Sequence, residues 1–375
     1  MKTTPAIVLG VALLTAAPVM AEAIRPEGLA ALGPPPIPAD NPMTPEKIAL
    51  GEKLFFDPIL SGNYAMPCSS CHLPEAGWAV QAPISFGYPG TTHWRNSQTI
   101  INSAYYAKLF WAGSSGSLES QARSAARGGV AGNGEDDMME SRLAFVPEYR
   151  AAFADVFGDD WPNIRHAYAA IAAYERTLVQ TDTPFDNYMN GDDAALSEQQ
   201  QRGLELFAGD AGCISCHNGP LLTDQKYYNL GVPAYPGWED DEIAQITFRF
   251  ELFGKGSTEE MYRSTKDDPG LYFRTKETRD KGKFRTPSLR YTAYTYPYMH
   301  NGAFETLRDV VEFYNAGGGQ NDFAANKTGM IQPLGLDDAQ IDDLVAFLES
   351  LSGEEMLIEE PELPEMQPLP AAVQN

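Results

Sequence analysis

The chain has 375 residues, with 27 Lys and Arg against 51 Asp and Glu, for a formal net charge of −24. Nucleic acid and anionic membrane surfaces are poor partners for so acidic a protein, while a basic partner docking through charge stays open beside a simply solvated surface. All thiol chemistry is confined to Cys68, Cys71, Cys213 and Cys216.

The first predicted element is a leader. Lys2, an apolar run from Ala6 to Ala17 and the small residues of Val19-Met20-Ala21 indicate a secretory signal over residues 1–21. That run is too short to span a bilayer, and no later stretch is apolar enough. The mature protein is expected in the periplasm, beginning near Glu22, with the loss of Lys2 taking the charge from −24 to −25. About 350 residues remain, enough for two domains with a core each.

Thr44-Pro45-Glu46-Lys47, leading to Gly51, Leu54 and Phe55, predicts a helix with proline and an acid in its first turn. Gly128 to Gly134 reads as a loop. Ile164, Tyr168, Ile171, Tyr174 and Leu178 follow at helical spacing. Thr181 to Asn190, where the periodicity stops, reads as a connection. The pattern then repeats. Ser197-Glu198-Gln199-Gln200 leads to Gly203, Leu206 and Phe207, and Ile341, Leu344, Val345, Leu348 and Leu351 close the second half after a Gly317–Gly319 loop. An internal duplication is indicated, with an N-terminal domain over residues 22–180, a C-terminal domain over 181–353 and an extended tail over 354–375. Strand-like alternation is nearly absent, so the fold class is mostly α with long irregular loops.

Cys68-Ser69-Ser70-Cys71-His72 and Cys213-Ile214-Ser215-Cys216-His217 each match a c-type haem attachment sequence. Two thiols on one turn can bond the two vinyl groups of a porphyrin edge, and the following imidazole then reaches the iron. A zinc site would need ligands from patterns much further apart than zinc ribbons use. Redox disulfides would leave both histidines unexplained. Export agrees with haem, which is attached outside the cytoplasm. The sixth iron position decides what each haem does. Its candidates are His93, His300, several methionines and the tyrosines, with His166 assigned a structural role inside its helix.

Phe284-Arg285-Thr286-Pro287-Ser288-Leu289-Arg290, Tyr296-Pro297-Tyr298-Met299-His300-Asn301-Gly302 and Phe313-Tyr314-Asn315 resemble the second domain of the bacterial dihaem cytochrome c peroxidase and MauG superfamily. Arg95-Asn96-Ser97, Leu109-Phe110-Trp111 and Glu119-Ser120-Gln121-Ala122 resemble its first. The likeness runs from Thr44 to Gly353 and implies two class-I cytochrome c-like domains, a peroxidatic haem in the first and an electron-transfer haem in the second. It implies a methionine ligand fourteen residues beyond the position of His300, where this chain has Tyr314, as the MauG branch does; Met299 is the alternative ligand. A phenolate favours oxidised iron, whereas a thioether raises the potential.

At the first haem, the distal-histidine position of the peroxidases is taken by Tyr88, and an open iron is expected. The resemblance implies Gln121 as a distal-pocket residue and Trp111 as an electron relay between the haems. Two departures stand out. Ala131 occupies the place of the usual acid-base glutamate, with Glu135, Asp136 and Asp137 as possible substitutes, and Ala112 replaces a common acid. Asn96, Thr295 and Pro297 match an interdomain calcium site of oxygen donors.

The implied function is a MauG-like oxidoreductase that uses hydrogen peroxide to form high-valent haem and oxidises a protein substrate, such as tryptophan side chains, at a distance. One alternative is a cytochrome c peroxidase fed by a small electron-transfer protein. The other is a non-enzymatic electron carrier.

Overall fold

The computed structural model describes residues 24–365, so the predicted leader and the last tail residues lie outside it. The helices are α1 (Pro45–Phe56), α2 (Leu118–Arg127), α3 (Asp136–Phe145), α4 (Pro147–Phe157), α5 (Ile164–Glu175) and α6 (Pro184–Met189), then α7 (Glu198–Ala208), α8 (Glu242–Gly254), α9 (Glu259–Ser264), α10 (Tyr272–Thr275), α11 (Leu307–Asn315) and α12 (Asp338–Glu349). Among the described residues the one sheet is an antiparallel pair of two-residue strands, β1 (Tyr227–Tyr228) and β2 (Phe284–Arg285). The fold is mostly helical, as expected.

Each half is organised by one helix crossing. Thr44 caps α1, its hydroxyl accepting from the Lys47 N–H, and Pro45 starts the first turn. Helix α1 crosses α5 at Gly51, where a Cβ would stand 1.9 Å from the Ala170 carbonyl oxygen. Ser197 caps α7 through a reciprocal pair with Gln200. Helix α7 crosses α12 at Gly203, where a Cβ would stand 2.0 Å from the Asp343 carbonyl oxygen. The apolar faces close two separate cores, one around Leu54, Phe55, Trp78, Phe153 and Ile171, the other around Phe185, Phe207, Leu344 and Phe347.

Residues 181–190 differ from expectation. Instead of a plain connection they carry α6, whose Phe185 and Tyr188 are buried in the second core. Thr183 and Asp186 form a capping box. The fully buried Asp186 also holds Arg290 through two 2.8 Å hydrogen bonds and accepts from the Leu32 N–H. Six residues are too few for a 3.6-residue period to register, which is why the sequence pattern concealed the helix.

The chain ends cross over. Leu29, near the start, packs in the second core. Beyond α12 the described residues run without helix or strand back to the first core, where Met356, Ile358 and Leu363 pack. There the Met356 carbonyl accepts from Trp78 Nε1 at 2.7 Å and its N–H donates to the Tyr291 hydroxyl at 2.6 Å.

Candidate haem sites and the junction between them

Both Cys-x-x-Cys-His sequences begin as single 3₁₀ turns, at Cys68–Ser70 and Cys213–Ser215, which bring the two thiols of each motif to one side. Each histidine is then fixed the same way. His72 Nδ1 lies 3.2 Å from the Trp78 carbonyl oxygen and His217 Nδ1 lies 3.1 Å from that of Leu222. A carbonyl can only accept, so Nδ1 carries the proton and Nε2 presents its lone pair. Burial lowers both imidazole pKa values, that of His72 to about 4, so both rings are neutral and ready to ligate at neutral pH.

The second motif opens on a cavity of about 450 Å³. Cys213, Cys216 and His217 line it, opposite an α11 face that contributes Leu307, Val310, Val311 and Tyr314, with Leu344 and Leu348 from α12. Arg285 also lines it. This guanidinium is 1% exposed, stacks 3.8 Å over the Tyr106 ring, and leaves Nε without a hydrogen-bond partner. An apolar cavity with one unsatisfied buried cation suits a flat apolar group carrying carboxylates, which describes haem and its propionates. The residues therefore fit the group that the motif implies.

Tyr314 and Met299 both line this cavity. Burial is the main cause that raises the Tyr314 phenol pKa; the nearby Cys213 and Cys216 thiolates add to it, and that contribution would vanish in thioethers. A phenolate here would need a cationic partner such as ferric iron.

The first site is read through an ungapped internal register that connects the two halves. Ile100-Ile101-Asn102-Ser103-Ala104-Tyr105 corresponds to Leu289-Arg290-Tyr291-Thr292-Ala293-Tyr294, and the register continues into the next helix of each half, α2 and α11. Asn102 and Tyr291 share a left-handed backbone, as do Phe110 and Met299. The Leu109–Ser115 bridge corresponds to Tyr298–Phe304. The cap Ser117 of α2 corresponds to Thr306 of α11. The same register places Gln121 at the position of Val310 and Ala125 at the position of Tyr314. Where the second half has a phenol facing its cavity, the first has a methyl group. Ala125 was missed in the sequence reading, although aligning the Ser-Ala-Tyr and Thr-Ala-Tyr segments would have found it.

The other sequence-predicted residues fall as follows. Trp111 and His300 occupy equivalent positions and meet edge-on, with ring centroids 6.4 Å apart at 75°. Trp111 Nε1 donates to the Asn96 carbonyl at 2.9 Å, and the Trp111 carbonyl accepts from the Arg285 N–H at 2.9 Å. Trp111 thus ties the two halves beside the second cavity, which it helps to line. His300 stacks on Phe284 at 3.7 Å. His93 stacks on Trp94 at 4.1 Å, and its Nδ1 accepts from the Arg95 N–H. His166 stacks on Phe157 and bonds Asp159 at 2.7 Å, in keeping with a structural role.

Asn96, Thr295 and Pro297 line one wall of the second cavity. Asn96 Nδ2 donates to the Ala82 carbonyl, which leaves Oδ1 as its donor atom for a cation. The acids offered as substitutes for a glutamate at Ala131 are engaged elsewhere. Glu135 and Asp136 pair with Arg127 and Arg123, while Asp137 accepts from the Met138 N–H.

One acid was not anticipated. Glu175 is 4% exposed, its Oε2 has no hydrogen-bond partner, and burial raises its pKa to about 8 against the pull of Arg176. Matching the α1–α5 and α7–α12 crossings places Glu175 at the position of Leu348, which lines the second cavity.

Two Cys-x-x-Cys-His turns with preset histidines, on a duplicated helical scaffold with a haem-sized cavity, define a dihaem c-type cytochrome. Residues 45–194 match the di-haem cytochrome c peroxidase family and residues 200–352 match cytochrome c. The cytochrome-c peroxidase IdrP1 of Denitromonas iodatirespirans is 58% identical over 362 residues, 96% of each chain. The methylamine utilization protein MauG of Methylorubrum extorquens is 33% identical, covering 91% of this chain and 86% of its own. A crystal structure of a MauG-like protein associated with microbial copper homeostasis superimposes with a TM-score of 0.73 at 31% identity, over 86% of this chain and 94% of its own. The chain belongs to the di-haem cytochrome c peroxidase family, a group of peroxidase-type haem oxidoreductases.

Proposed function

We propose that this protein reduces hydrogen peroxide to water at the His72 site, using electrons that enter singly from an exported redox protein. The carrying observation is the asymmetry at one repeat position, Ala125 against Tyr314. The relatives named cytochrome-c peroxidases support the same reading. Haem, when bound at the two motifs, supplies the iron that cleaves the O–O bond and passes electrons. Two electrons and two protons convert each peroxide to two waters.

The protein's own residues set the conditions for that reaction. The Trp78 and Leu222 carbonyls hold the histidine tautomers. Ala125 leaves room for peroxide on the first face, and the Gln121 amide, standing where the second half has Val310, offers a hydrogen-bond donor and acceptor to it. Tyr314 closes the second face. Trp111 lies between the halves with its indole N–H fixed on the Asn96 carbonyl, a rigid path for electrons. Asn96, with the carbonyls of Thr295 and Pro297, would hold a calcium ion that pins this junction.

Tyr314 also favours a second reading, MauG-like oxidation of a protein side chain, because a hard anionic ligand suits an oxidised second centre better than one that accepts electrons easily. Steady-state assays of the purified dihaem protein with peroxide and a reduced small c-type cytochrome test the proposal. Saturable turnover is expected, and a protein that holds two haems yet leaves peroxide intact would overturn it. Tyr314→Met separates the readings. It should raise one haem potential and speed electron entry in a peroxidase, but abolish the oxidation of a protein substrate; an unchanged potential would show that Tyr314 is not a ligand.

A further inference from the structure

The charge of this protein is unevenly distributed. Residues 274–283 carry five bases, Arg274, Lys276, Arg279, Lys281 and Lys283, against Glu277 and Asp280, in a chain where acids nearly double the bases. Asp280 is already matched by Lys283 at 3.1 Å. Arg274, Lys276 and Arg279 are exposed and Lys281 half-exposed, and none of the four has an ion-pair partner among the described residues.

These cations form one lip. Lys276 and Lys281 both approach the Tyr272 ring, at 5.5 and 5.3 Å. The Lys276 ammonium donates to the Lys255 carbonyl, and burial together with the Lys255 charge lowers its pKa. Arg274 lies over Tyr227, next to the exposed Lys226. Holding five cations together with Glu277 as the one acid of the run not matched by Lys283 costs stability, and an anionic surface would recover it.

The lip is also joined to the redox centre. Arg274 Nη1 donates to the Gly113 carbonyl, on the turn that carries Trp111. The same strand of chain continues from Lys283 into Phe284, stacked on His300, and Arg285, whose N–H bonds the Trp111 carbonyl.

We propose that this basic lip, Lys226, Arg274, Lys276, Arg279 and Lys281, is the docking face for the redox partner, and that the partner meets it with an acidic surface. This rests on the peroxidase reading above and adds the chemistry of its electron donor. The net negative charge of the whole molecule does not forbid it. At physiological ionic strength, charges beyond a Debye length of about 8 Å are largely screened, so the local lip governs the final approach. The acidic composition taken alone leaves a basic partner open; the distribution of the charges favours an acidic one at a surface next to the Trp111 turn.

The experiment uses the dihaem holoprotein with two probes, an acidic and a basic small c-type cytochrome, titrated without peroxide across a salt series. The acidic probe should bind more tightly than the basic one. Lys276→Glu, Arg279→Glu and Lys281→Glu combined should weaken it at least tenfold, whereas Arg150→Glu with Arg165→Glu, exposed cations on α4 and α5, should change it less than twofold. Equal or tighter binding of the basic probe, or an unchanged affinity in the triple variant, overturns the docking face. Peroxide turnover of the unaltered protein with a small uncharged reductant is measured separately; its absence would remove the peroxidase reading and leave the binding result standing.

Discussion

The two halves of this protein repeat one frame of turns and helices and carry different side chains at its equivalent positions. Each has a motif turn, a histidine held by a backbone carbonyl, a glycine-mediated crossing of two helices and, in register, a capped helix, α2 in one and α11 in the other. Beyond the inserted helices, α3 and α4 in the first half and α8 to α10 in the second, a few side chains differ at equivalent positions of that frame. Gln121 and Ala125 stand in one half where Val310 and Tyr314 stand in the other, and Glu175 stands opposite Leu348. On a repeated frame, changes of side chain that leave the local backbone alone can make one site accept a ligand and the other refuse it.

The most direct way to break the comparison is to make the halves alike. Ala125→Tyr puts a phenol where the first half has a methyl group, on a helix whose caps and packing are untouched. The reaction of the resting protein with peroxide should slow by about two orders of magnitude, equivalent to about 3 kcal/mol of barrier, and the high-spin signal of the first haem should disappear. Stopped-flow absorbance reads both. An unchanged rate would mean that α2 does not present Ala125 to the iron as α11 presents Tyr314 to its cavity, and the repeat argument would fail.

A second comparison tests the scaffold. Gly51→Ala and Gly203→Ala each drive a methyl group into a backbone carbonyl at the helix crossing, and overpacking of this kind costs about 1–3 kcal/mol. Each substitution should lower the melting temperature and perturb the absorbance of the haem in its own half more than that of the other. Tolerance at either position would show that the two crossings are not equivalent.

Most of this was legible in the sequence because it is carried by local signals. The haem motifs, the four helices flanking them and the glycine-rich loops announce themselves through spacing or residue type, whereas Tyr314 is singled out only by the resemblance to the dihaem peroxidases. Helix α6 did not, being shorter than two turns. Nor did the crossing of the chain ends, because Leu29 and Met356 reach their cores by contacts far apart in sequence. Ala125 was invisible for another reason. A small residue at a ligand position carries no chemical signature, and it acquires meaning only when the other half is aligned with it.

Glu175 gives the smallest expected effect and the finest test of the difference between the halves, since the second half has a leucine there. Its carboxyl binds a proton more tightly in the folded chain than in the unfolded one, where a glutamate titrates near 4.3. The stability linked to that proton is therefore fully present below the unfolded value and is lost as pH rises towards about 8, where the folded group itself ionises. The wild-type holoprotein should lose a few degrees of melting temperature between pH 5 and pH 8, where one kcal/mol corresponds to about 2–4 °C for a unit of about 150–250 residues, the size of one half. Glu175→Gln, which keeps the shape and cannot ionise, should flatten that slope, and Leu348→Gln in the second half should leave it as it was. If the slope survives in Glu175→Gln, the buried carboxyl is not the group that the first half titrates, and the asymmetry between the haem pockets rests on Gln121, Ala125 and Tyr314 alone.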